Sequence, residues 1–221
     1  MIKYSQVDDI AFLTMDDGKV NAISPSMCTA LNGGLDRAAG DADAIVITGR
    51  TNVFCGGFDL NIIRGEDEIL KSRMRQSGME LLKRLYLLPQ PIIFAVTGHA
   101  IAMGALLLLA GDLRIALDGK YRIGLNETSI GLSLPVTGLE MARDRLAPTI
   151  FQRATINSEL FSPKNAITAG YLDEVAVGLA NFDALVLRVS KKLANLDNNA
   201  FFATKRKVRQ ATLDRIKLLE G

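Results

Sequence analysis

Apolar and polar residues alternate along this chain in two periods, one typical of strands and the other typical of helices. Apolar runs that predict strands lie at 2–7, 10–15, 44–48, 92–96, 113–117, 121–125 and 172–177. Start and stop signals predict five helices. One begins at Ser24-Pro25, one covers roughly 66–88, and one follows the strand within 92–110. The other two run from Ser162-Pro163 to Gly170 and from near Asn181 onward. Strands that alternate with helices indicate an α/β fold with much parallel pairing. The strand-turn-strand pieces indicate some antiparallel pairing at its edges.

Two glycine-containing turns after predicted strands are the most informative local features. The first lies in the segment 54–60, FCGGFDL, whose adjacent glycines let the backbone approach a ligand closely. The second lies in 97–104, TGHAIAMG, and leads into a buried helix, whose first N–H groups are unpaired. Such N–H groups donate hydrogen bonds to a developing negative charge. Two of them can hold one oxyanion, although each turn alone is weak evidence because glycine turns are common.

Composition bounds the class of protein. The 221 residues suffice for one substantial core, and contents of 48% hydrophobic and 23% charged residues are ordinary for a globular protein. A net charge of +2 gives no reason to expect nucleic acid or a membrane surface as partner. A basic cluster occupies 205–207 and Arg209. We interpret it as a solvated helix face in preference to a phosphate contact.

The uncharged run from Pro91 to Gly111 is long enough to cross a bilayer. Gly98 and His99 interrupt it, and its flanks lack a bias of Lys and Arg. A buried strand followed by a buried helix explains the same apolarity, so we predict no membrane span.

Cys28 and Cys55 are the only cysteines, and they lack the spacing of a metal site. Without a signal peptide, two such thiols indicate a reducing compartment, and we predict a cytoplasmic protein without a metal. Cys55 borders the first glycine turn, but nothing places His99, the lone imidazole, beside it. A small buried thiol is the better interpretation of Cys55, and a hydrogen bond at a turn is the better one of His99.

A carboxylate follows the apolar run 121–125. Glu127 stands between Leu125 and Ile130, and partial desolvation there would raise its pKa toward that of a working base. The structural alternative is an acid at a helix start near Thr128, stabilised by the helix dipole. Composition alone favours the structural alternative, since structural acids outnumber catalytic ones.

Five ordered segments resemble the crotonase superfamily, also called the enoyl-CoA hydratase/isomerase family, over essentially the full length. They are 20–23 (VNAI), 54–60 (FCGGFDL), 97–104 (TGHAIAMG), 112–115 (DLRI) and 170–175 (GYLDEV). The later segment 203–205 (ATK) also resembles the closing helix of that family. The resemblance implies the crotonase spiral of repeated ββα units over 1–180. It also implies a helical region at 181–221 that takes part in assembly into homotrimers or dimers of trimers.

The resemblance further implies a site for an acyl-CoA thioester. Two backbone N–H groups of the family hold the thioester oxygen, and by position they belong here to Phe58 and Met103. Members of this family usually have three glycines at the second turn, whereas this chain has Ala102-Met103-Gly104 there. The Met103 side chain is therefore expected to narrow or reshape the acyl pocket. No prosthetic group is implied, and coenzyme A enters only as part of the substrate. The residues that resemble the coenzyme A contacts are Lys19, Asn21 and Ala22, with Phe54, Cys55 and Gly56 around the adenine.

The family's hydratases use two glutamates, and this chain keeps one of them. The first falls where this chain has Leu106, whereas the second matches Glu127. The segment 121–128, YRIGLNET, resembles the mitochondrial Δ3,Δ2-enoyl-CoA isomerases, which use a single glutamate, and Pro135 keeps their spacing. The leading hypothesis is therefore an isomerase that converts a 3-enoyl-CoA to a 2-enoyl-CoA. The alternatives are a hydratase, with Glu140 or Asp144 as the replacement acid, another thioester-enolate enzyme (hydrolase or decarboxylase), and a non-catalytic acyl-CoA-binding relative.

Overall fold

The computed structural model describes residues 1–220; Gly221, the last residue of the predicted C-terminal region, lies outside them. The strands are β1 (Ile2–Val7), β2 (Ile10–Met15), β3 (Ala44–Thr48), β4 (Asn52–Cys55), β5 (Ile92–Val96), β6 (Gly98–Ile101), β7 (Leu113–Leu117), β8 (Ile123–Gly124) and β9 (Glu174–Ala176). The α-helices are α1 (Pro25–Asp41), α2 (Leu60–Arg64), α3 (Glu68–Tyr86), α4 (Met103–Ala110), α5 (Val136–Arg145), α6 (Pro148–Thr155), α7 (Pro163–Ala169), α8 (Leu179–Ala194) and α9 (Asn198–Glu220). A 3-10 helix covers Thr128–Ile130. The predicted α/β class is confirmed.

The larger sheet contains six strands in the order β1-β2-β3-β5-β7-β9. β1 and β2 form the predicted antiparallel hairpin, with Ile2 opposite Met15. The other neighbouring pairs in this sheet run parallel. One face packs into the main core and the other is covered by α8, through Phe182 and Val186. Both faces of the central strands are therefore apolar, which explains why their sequences are unbroken apolar runs.

The smaller sheet, β4-β6-β8, was largely missed by the hydrophobic pattern. β4 and β6 have only four residues each and contain polar residues or glycine, so no apolar run marks them. The predicted strands 113–117 and 121–125 form one of the strand-turn-strand pieces that we expected to pair antiparallel. This expectation is wrong, because β8 instead pairs parallel with β6, with Ile123 opposite Ala100. β4 and β6 approach so closely at Gly98 that an added Cβ would lie 1.9 Å from the Asn52 backbone.

The helices start and stop largely where the local signals predict. The Ser24 hydroxyl accepts a hydrogen bond from the Met27 N–H at 3.2 Å and caps α1. A Cβ on Gly34 of that helix would lie 2.9 Å from the Leu13 side chain, which explains a glycine inside a helix. The sequence analysis did not predict α5 and α6. The buried residues of α5 include Thr137 and Glu140, which hide its apolar period.

The basic cluster of α9 corrects one prediction. Residues 206–207 are exposed as expected, but Lys205 and Arg209 are only 6% and 4% exposed. The Lys205 ammonium lies 2.7 Å from the Asp112 carboxylate, and the Arg209 guanidinium lies 2.9 Å from it. Arg209 also donates to the Gly111 carbonyl at 3.0 Å. Carbonyls at a helix C-terminus lack intrahelical partners, so these buried cations fasten α9 to the end of α4.

The uncharged run 91–111 forms β5, β6 and α4, and the prediction of a buried strand followed by a buried helix is confirmed. Within residues 1–220, no helix combines the length and the apolarity needed to cross a bilayer.

Candidate active site

The three groups predicted to do chemistry follow the C-terminal ends of the three strands of the smaller sheet. Phe58 comes after β4, Met103 after β6 and Glu127 after β8. The strands are neighbours and run parallel, so their C-terminal ends meet at one edge of the sheet. The Ala102 N–H donates to the Gly124 carbonyl at 3.0 Å, which joins the second turn to the strand that leads to Glu127. The sheet therefore brings the predicted residues together.

The first predicted donor is the Phe58 amide. Ile23 forms an isolated parallel bridge with Phe58, since the Ile23 N–H donates to the Gly57 carbonyl at 2.8 Å and the Asp59 N–H donates to the Ile23 carbonyl at 3.2 Å. In this pattern the central residue's own N–H points away from its bridge partner. Within residues 1–220 the Phe58 N–H donates no hydrogen bond, so it is free to bind a ligand oxygen.

The second predicted donor is the Met103 amide, at the first position of α4. First-turn N–H groups of a helix have no intrahelical acceptor, and the Met103 N–H finds none elsewhere in the described chain. Ala102 directs it through an unusual backbone conformation, φ 51° and ψ −120°. An alanine there is strained, and such strain is typical of functional sites.

The two turns touch. Gly57 has φ +104°, and a Cβ added to it would lie 3.1 Å from the Ala102 Cβ and 3.8 Å from the Met103 nitrogen. The Gly57 backbone is therefore packed against the turn that carries Met103. The free amides on either side of this contact form one candidate oxyanion site.

Gly78 in α3 makes room for the side chains beside that site. A Cβ on Gly78 would lie 2.6 Å from Cε1 of the Phe58 ring and 3.4 Å from Cε of Met103. The Met103 side chain is fully buried in the core. The expectation that it reshapes the acyl pocket stays a prediction, and this packing identifies α3 as the wall that it meets.

Glu127 is buried just before the 3-10 helix. It is 8% exposed, and its Oε2 atom is buried without a hydrogen-bond partner in residues 1–220. Burial raises the pKa of Glu127 from its ordinary 4.5 to about 6. Glu127 stands at the start of this helix, as the structural alternative expects, but its side chain makes no capping hydrogen bond. Its pKa is raised, whereas stabilisation by the helix dipole would lower it.

Neither the position of the family's first glutamate nor the two possible replacement acids supplies a free carboxyl. Leu106 is 1% exposed, and a Cβ on Gly138 of α5 would meet its side chain at 2.9 Å. Burial would raise the pKa of Glu140, but hydrogen bonds from two arginines outweigh it and lower that pKa. The Asp144 carboxylate accepts a hydrogen bond from the Tyr86 hydroxyl at 2.6 Å. None of these contacts prepares a second proton donor for the site.

The loop with the first group of predicted coenzyme A contacts is organised by Asp17, a residue that the sequence analysis did not single out. The Asp17 carboxylate accepts backbone hydrogen bonds from Lys19 at 2.7 Å, Asn21 at 2.9 Å and Ala22 at 3.2 Å. Asn21 is buried, and its amide nitrogen donates to the Phe54 carbonyl at 3.1 Å. This hydrogen bond joins the loop to the end of β4. A carboxylate followed by a glycine and an asparagine was the available signal.

The second group of predicted contacts offers mainly backbone atoms. The Phe54 ring is buried edge-on against Phe94. Burial raises the pKa of the Cys55 thiol to about 12, so it is an inert buried thiol as predicted. The Gly56 N–H donates to the Val20 carbonyl at 2.8 Å. His99 is exposed, and its Nδ1 accepts a hydrogen bond from the Arg122 N–H at 3.2 Å, in keeping with the structural interpretation.

Replacing Ala102 with glycine is expected to raise the free energy of unfolding by about 1 kcal/mol. Glycine relieves the positive φ, and this gain exceeds its larger entropy in the unfolded chain. Urea denaturation measures the change. Ala105→Gly, inside α4 with ordinary helical geometry, is the control and should destabilise the protein. Equal destabilisation by both variants would show that Ala102 is not strained.

Comparisons with known proteins identify the family of this chain. The family model for enoyl-CoA hydratase/isomerase matches residues 6–219. An enoyl-CoA hydratase/isomerase family protein from Pseudomonas syringae superposes with a TM-score of 0.94 at 39% identity, covering 98% of this chain and 94% of that one. Human mitochondrial delta3-delta2-enoyl-CoA isomerase superposes with a TM-score of 0.93 at 25% identity, covering 99% and 87%.

Among curated proteins, a probable enoyl-CoA hydratase from Rhodobacter capsulatus is 39% identical over 131 residues. This match spans 56% of the present chain and 51% of that protein, about half of the relative's length. Isomerases and hydratases thus both occur among the relatives. The family model covers nearly every residue, the crotonase-type resemblance is confirmed, and the chain belongs to the enoyl-CoA hydratase/isomerase family.

Proposed function

We propose that this protein moves the double bond of a 3-enoyl-CoA to the 2 position, with Glu127 as its single proton carrier. The observation that carries the proposal is the buried Glu127 carboxyl, whose Oε2 atom has no hydrogen-bond partner within residues 1–220, at the sheet edge that also carries the two free backbone amides. The substrate is an acyl-CoA thioester, and no prosthetic group takes part.

In the proposed reaction the Phe58 and Met103 amides bind the thioester oxygen. The Glu127 carboxylate removes a proton from C2, and the electron pair moves onto the oxygen to give an enolate. Neutral Glu127 then gives its proton to C4, the double bond forms between C2 and C3, and the carboxylate is regenerated. Losing one oxyanion donor typically costs about 3–4 kcal/mol of transition-state stabilisation. A positioned base contributes about 10²–10⁴ in rate.

Hydration is the second candidate, because the Rhodobacter relative is named a probable hydratase. Adding water across a double bond uses one group to activate the water and another to protonate carbon. The packing of Leu106 against Gly138 and the ion pairs of Glu140 supply no such second group. These contacts support isomerisation over hydration, and the intact Glu127 supports an enzyme over a binding module.

The deciding experiment offers purified protein a 3-enoyl-CoA and, separately, a 2-enoyl-CoA. A conjugated 2-enoyl product from the first, without 3-hydroxyacyl product from the second, is the expected result. Hydration of the second at a comparable rate would make the protein a hydratase. Coenzyme A binding without turnover of either substrate would make it a binding relative.

The acid limb of kcat/KM is expected at an apparent pKa of about 6, since only ionised Glu127 removes a proton. Activity should fall about tenfold for each pH unit below this value. Steady-state rates between pH 5 and 8 measure it. A limb near 4.5 would show that the carboxyl is solvated in the working enzyme.

We also propose that the main chain of 19–22 and 54–56 contacts coenzyme A, and that the protein assembles into homotrimers or dimers of trimers. Asn21 and Phe54 use their side chains internally, and the Asn21 N–H and the Phe54 carbonyl also have partners within the chain, so their other backbone atoms are the ones proposed to contact the ligand. Isotope-labelled amide spectra with added coenzyme A test the first proposal, and sedimentation equilibrium tests the second.

A further inference from the structure

Arg50 is a cationic residue beside the loop proposed to contact coenzyme A, and neither the sequence analysis nor the proposed reaction uses it. It follows Gly49 in the connection between β3 and β4. Its carbonyl accepts hydrogen bonds from the Val53 N–H at 3.0 Å and from the Thr97 hydroxyl at 2.9 Å. The backbone of Arg50 is therefore fixed between β4 and the end of β5.

The half-buried Arg50 side chain is held by the backbone of Lys19. Its Nε–H donates to the Lys19 carbonyl at 3.0 Å, and an Nη2–H donates to the same oxygen. The Nη1–H groups have no acceptor within residues 1–220. These hydrogen bonds fix the direction of the planar guanidinium and leave its Nη1 edge available for a ligand.

The positive charge of Arg50 has no carboxylate partner in the described chain, where it forms no ion pair. Asp16 and Asp17 belong to the same loop, but other groups occupy both. The Asp16 carboxylate accepts a hydrogen bond from the Gly18 N–H at 3.1 Å and lies 3.2 Å from the Lys3 ammonium. These two contacts lower the pKa of Asp16 more than the charge of Arg50 does. The Asp17 carboxylate accepts the backbone hydrogen bonds that organise the loop.

Lys19 brings a second cation, on the residue whose carbonyl holds the guanidinium. It is exposed and forms no ion pair within residues 1–220. The next residue, Val20, accepts the Gly56 N–H at 2.8 Å, so the two segments proposed to contact coenzyme A meet beside Arg50. An arginine binds two phosphate oxygens with its planar fork, and a lysine adds a point charge. Coenzyme A carries such groups in its diphosphate and its 3′-phosphate.

We propose that Arg50, together with Lys19, binds a phosphate group of coenzyme A. This inference rests on the proposed function for the identity of the ligand. The phosphate takes the free Nη1 edge of the guanidinium, which the Lys19 carbonyl already holds in place. Less side-chain freedom is then lost on binding than for an untethered arginine. The contact is the same in the ground state and the transition state, so it acts on KM and not on kcat.

The test is Arg50→Gln, titrated calorimetrically with three probes. They are thioesters of one saturated acyl group, which cannot be isomerised, with coenzyme A, 3′-dephospho-coenzyme A and pantetheine. We expect the affinity for the coenzyme A probe to fall about tenfold, and the affinity for the pantetheine probe to stay unchanged. A loss with the first probe alone assigns the 3′-phosphate to Arg50, and a loss with the first two assigns the diphosphate.

Two outcomes would overturn the inference. An unchanged affinity for all three probes would show that Arg50 contacts no phosphate. An equal loss for all three, pantetheine included, would show that Arg50 only supports the loop. In steady-state kinetics with the 3-enoyl-CoA we expect KM to rise about tenfold and kcat to stay within about twofold.

Arg37→Gln is the matched control. It removes the same charge from α1, where the Arg37 guanidinium lies 3.5 Å from the Asp41 carboxylate, and should leave all three affinities unchanged. If Arg50→Gln does not fold, Lys19→Gln replaces it, because the Lys19 side chain is exposed. We expect Lys19→Gln to weaken the same probes about threefold. Unchanged affinities in that variant would contradict the shared phosphate site.

Binding of the saturated probes needs no turnover, so this experiment separates the inference from the proposed function. A protein that loses coenzyme A affinity in Arg50→Gln but does not isomerise a 3-enoyl-CoA would retain the phosphate contact and remove the reaction. A protein that isomerises, with an affinity that Arg50→Gln leaves unchanged, would retain the reaction and remove the contact.

Discussion

Glu127→Gln is expected to abolish isomerisation while leaving affinity for the acyl-CoA nearly unchanged. Glutamine keeps the size of the side chain but cannot take the C2 proton, so a loss of about 10²–10⁴ in kcat follows. Steady-state kinetics and calorimetric titration with a non-reactive acyl-CoA measure the two quantities. Retention of more than about a tenth of the wild-type turnover would remove Glu127 from the role of base.

The same variant is expected to be more stable than the wild type at neutral pH. The pKa of Glu127 in the folded protein, about 6, lies above its ordinary value of 4.5. The folded state therefore binds this proton more tightly, and stability is lost as the pH rises from 4.5 through 6. A rise to about 6 corresponds to about 2 kcal/mol, which the glutamine variant should recover above pH 7.

Glu140→Gln is the matched control, and we expect it to change the stability in the opposite direction. Two arginines hold Glu140 as a carboxylate and lower its pKa, so its stabilising contribution is present above its ordinary pKa. Its replacement should destabilise the protein at pH 7 and leave the reaction largely intact. Urea denaturation at pH 4 and pH 8 distinguishes the two variants. Loss of turnover in Glu140→Gln would instead revive it as the second acid.

Gly57→Ala is expected to cause the second large loss of activity. The added Cβ meets the Ala102 Cβ at 3.1 Å and the Ile101 carbonyl oxygen at 3.2 Å, so the two turns must separate. A displaced oxyanion donor costs about 10²–10³ in kcat. The positive φ at this position also costs the folded protein about 1–2 kcal/mol. Kinetics with the 3-enoyl-CoA and urea denaturation measure both effects.

Gly178→Ala separates backbone strain from the catalytic effect. Gly178 has φ +83°, and an added Cβ there would meet nothing within 4 Å. This variant should lose a similar amount of stability and keep wild-type kcat. If Gly57→Ala also kept wild-type kcat, the amides around this contact would not form the oxyanion site.

Local sequence signals located much of the fold because they describe short-range physics. The apolar runs at 44–48 and 92–96 became β3 and β5, since strands covered on both faces must be apolar throughout. Ser24 started α1 because its hydroxyl satisfies a free amide of the first turn. Glu127 was also a candidate from its apolar neighbours alone. The prediction that the amides of Phe58 and Met103 bind the oxyanion came from the family resemblance, because a backbone donor cannot be recognised from the residue type.

The amino-acid sequence by itself determined the α/β class, the family and the candidate base, because the apolar period, the helix caps and the ordered motifs all depend on residues that are close together in the sequence. Only the tertiary structure decided the rest. β4 and β6 are too short to show a period. Only the parallel pairing of β4 with β6 and of β6 with β8 places the segments that carry Phe58, Met103 and Glu127 at one edge of the sheet. Lys205 became buried because distant helix ends supply its acceptors. Such contacts join residues far apart in the chain, where no local pattern records them.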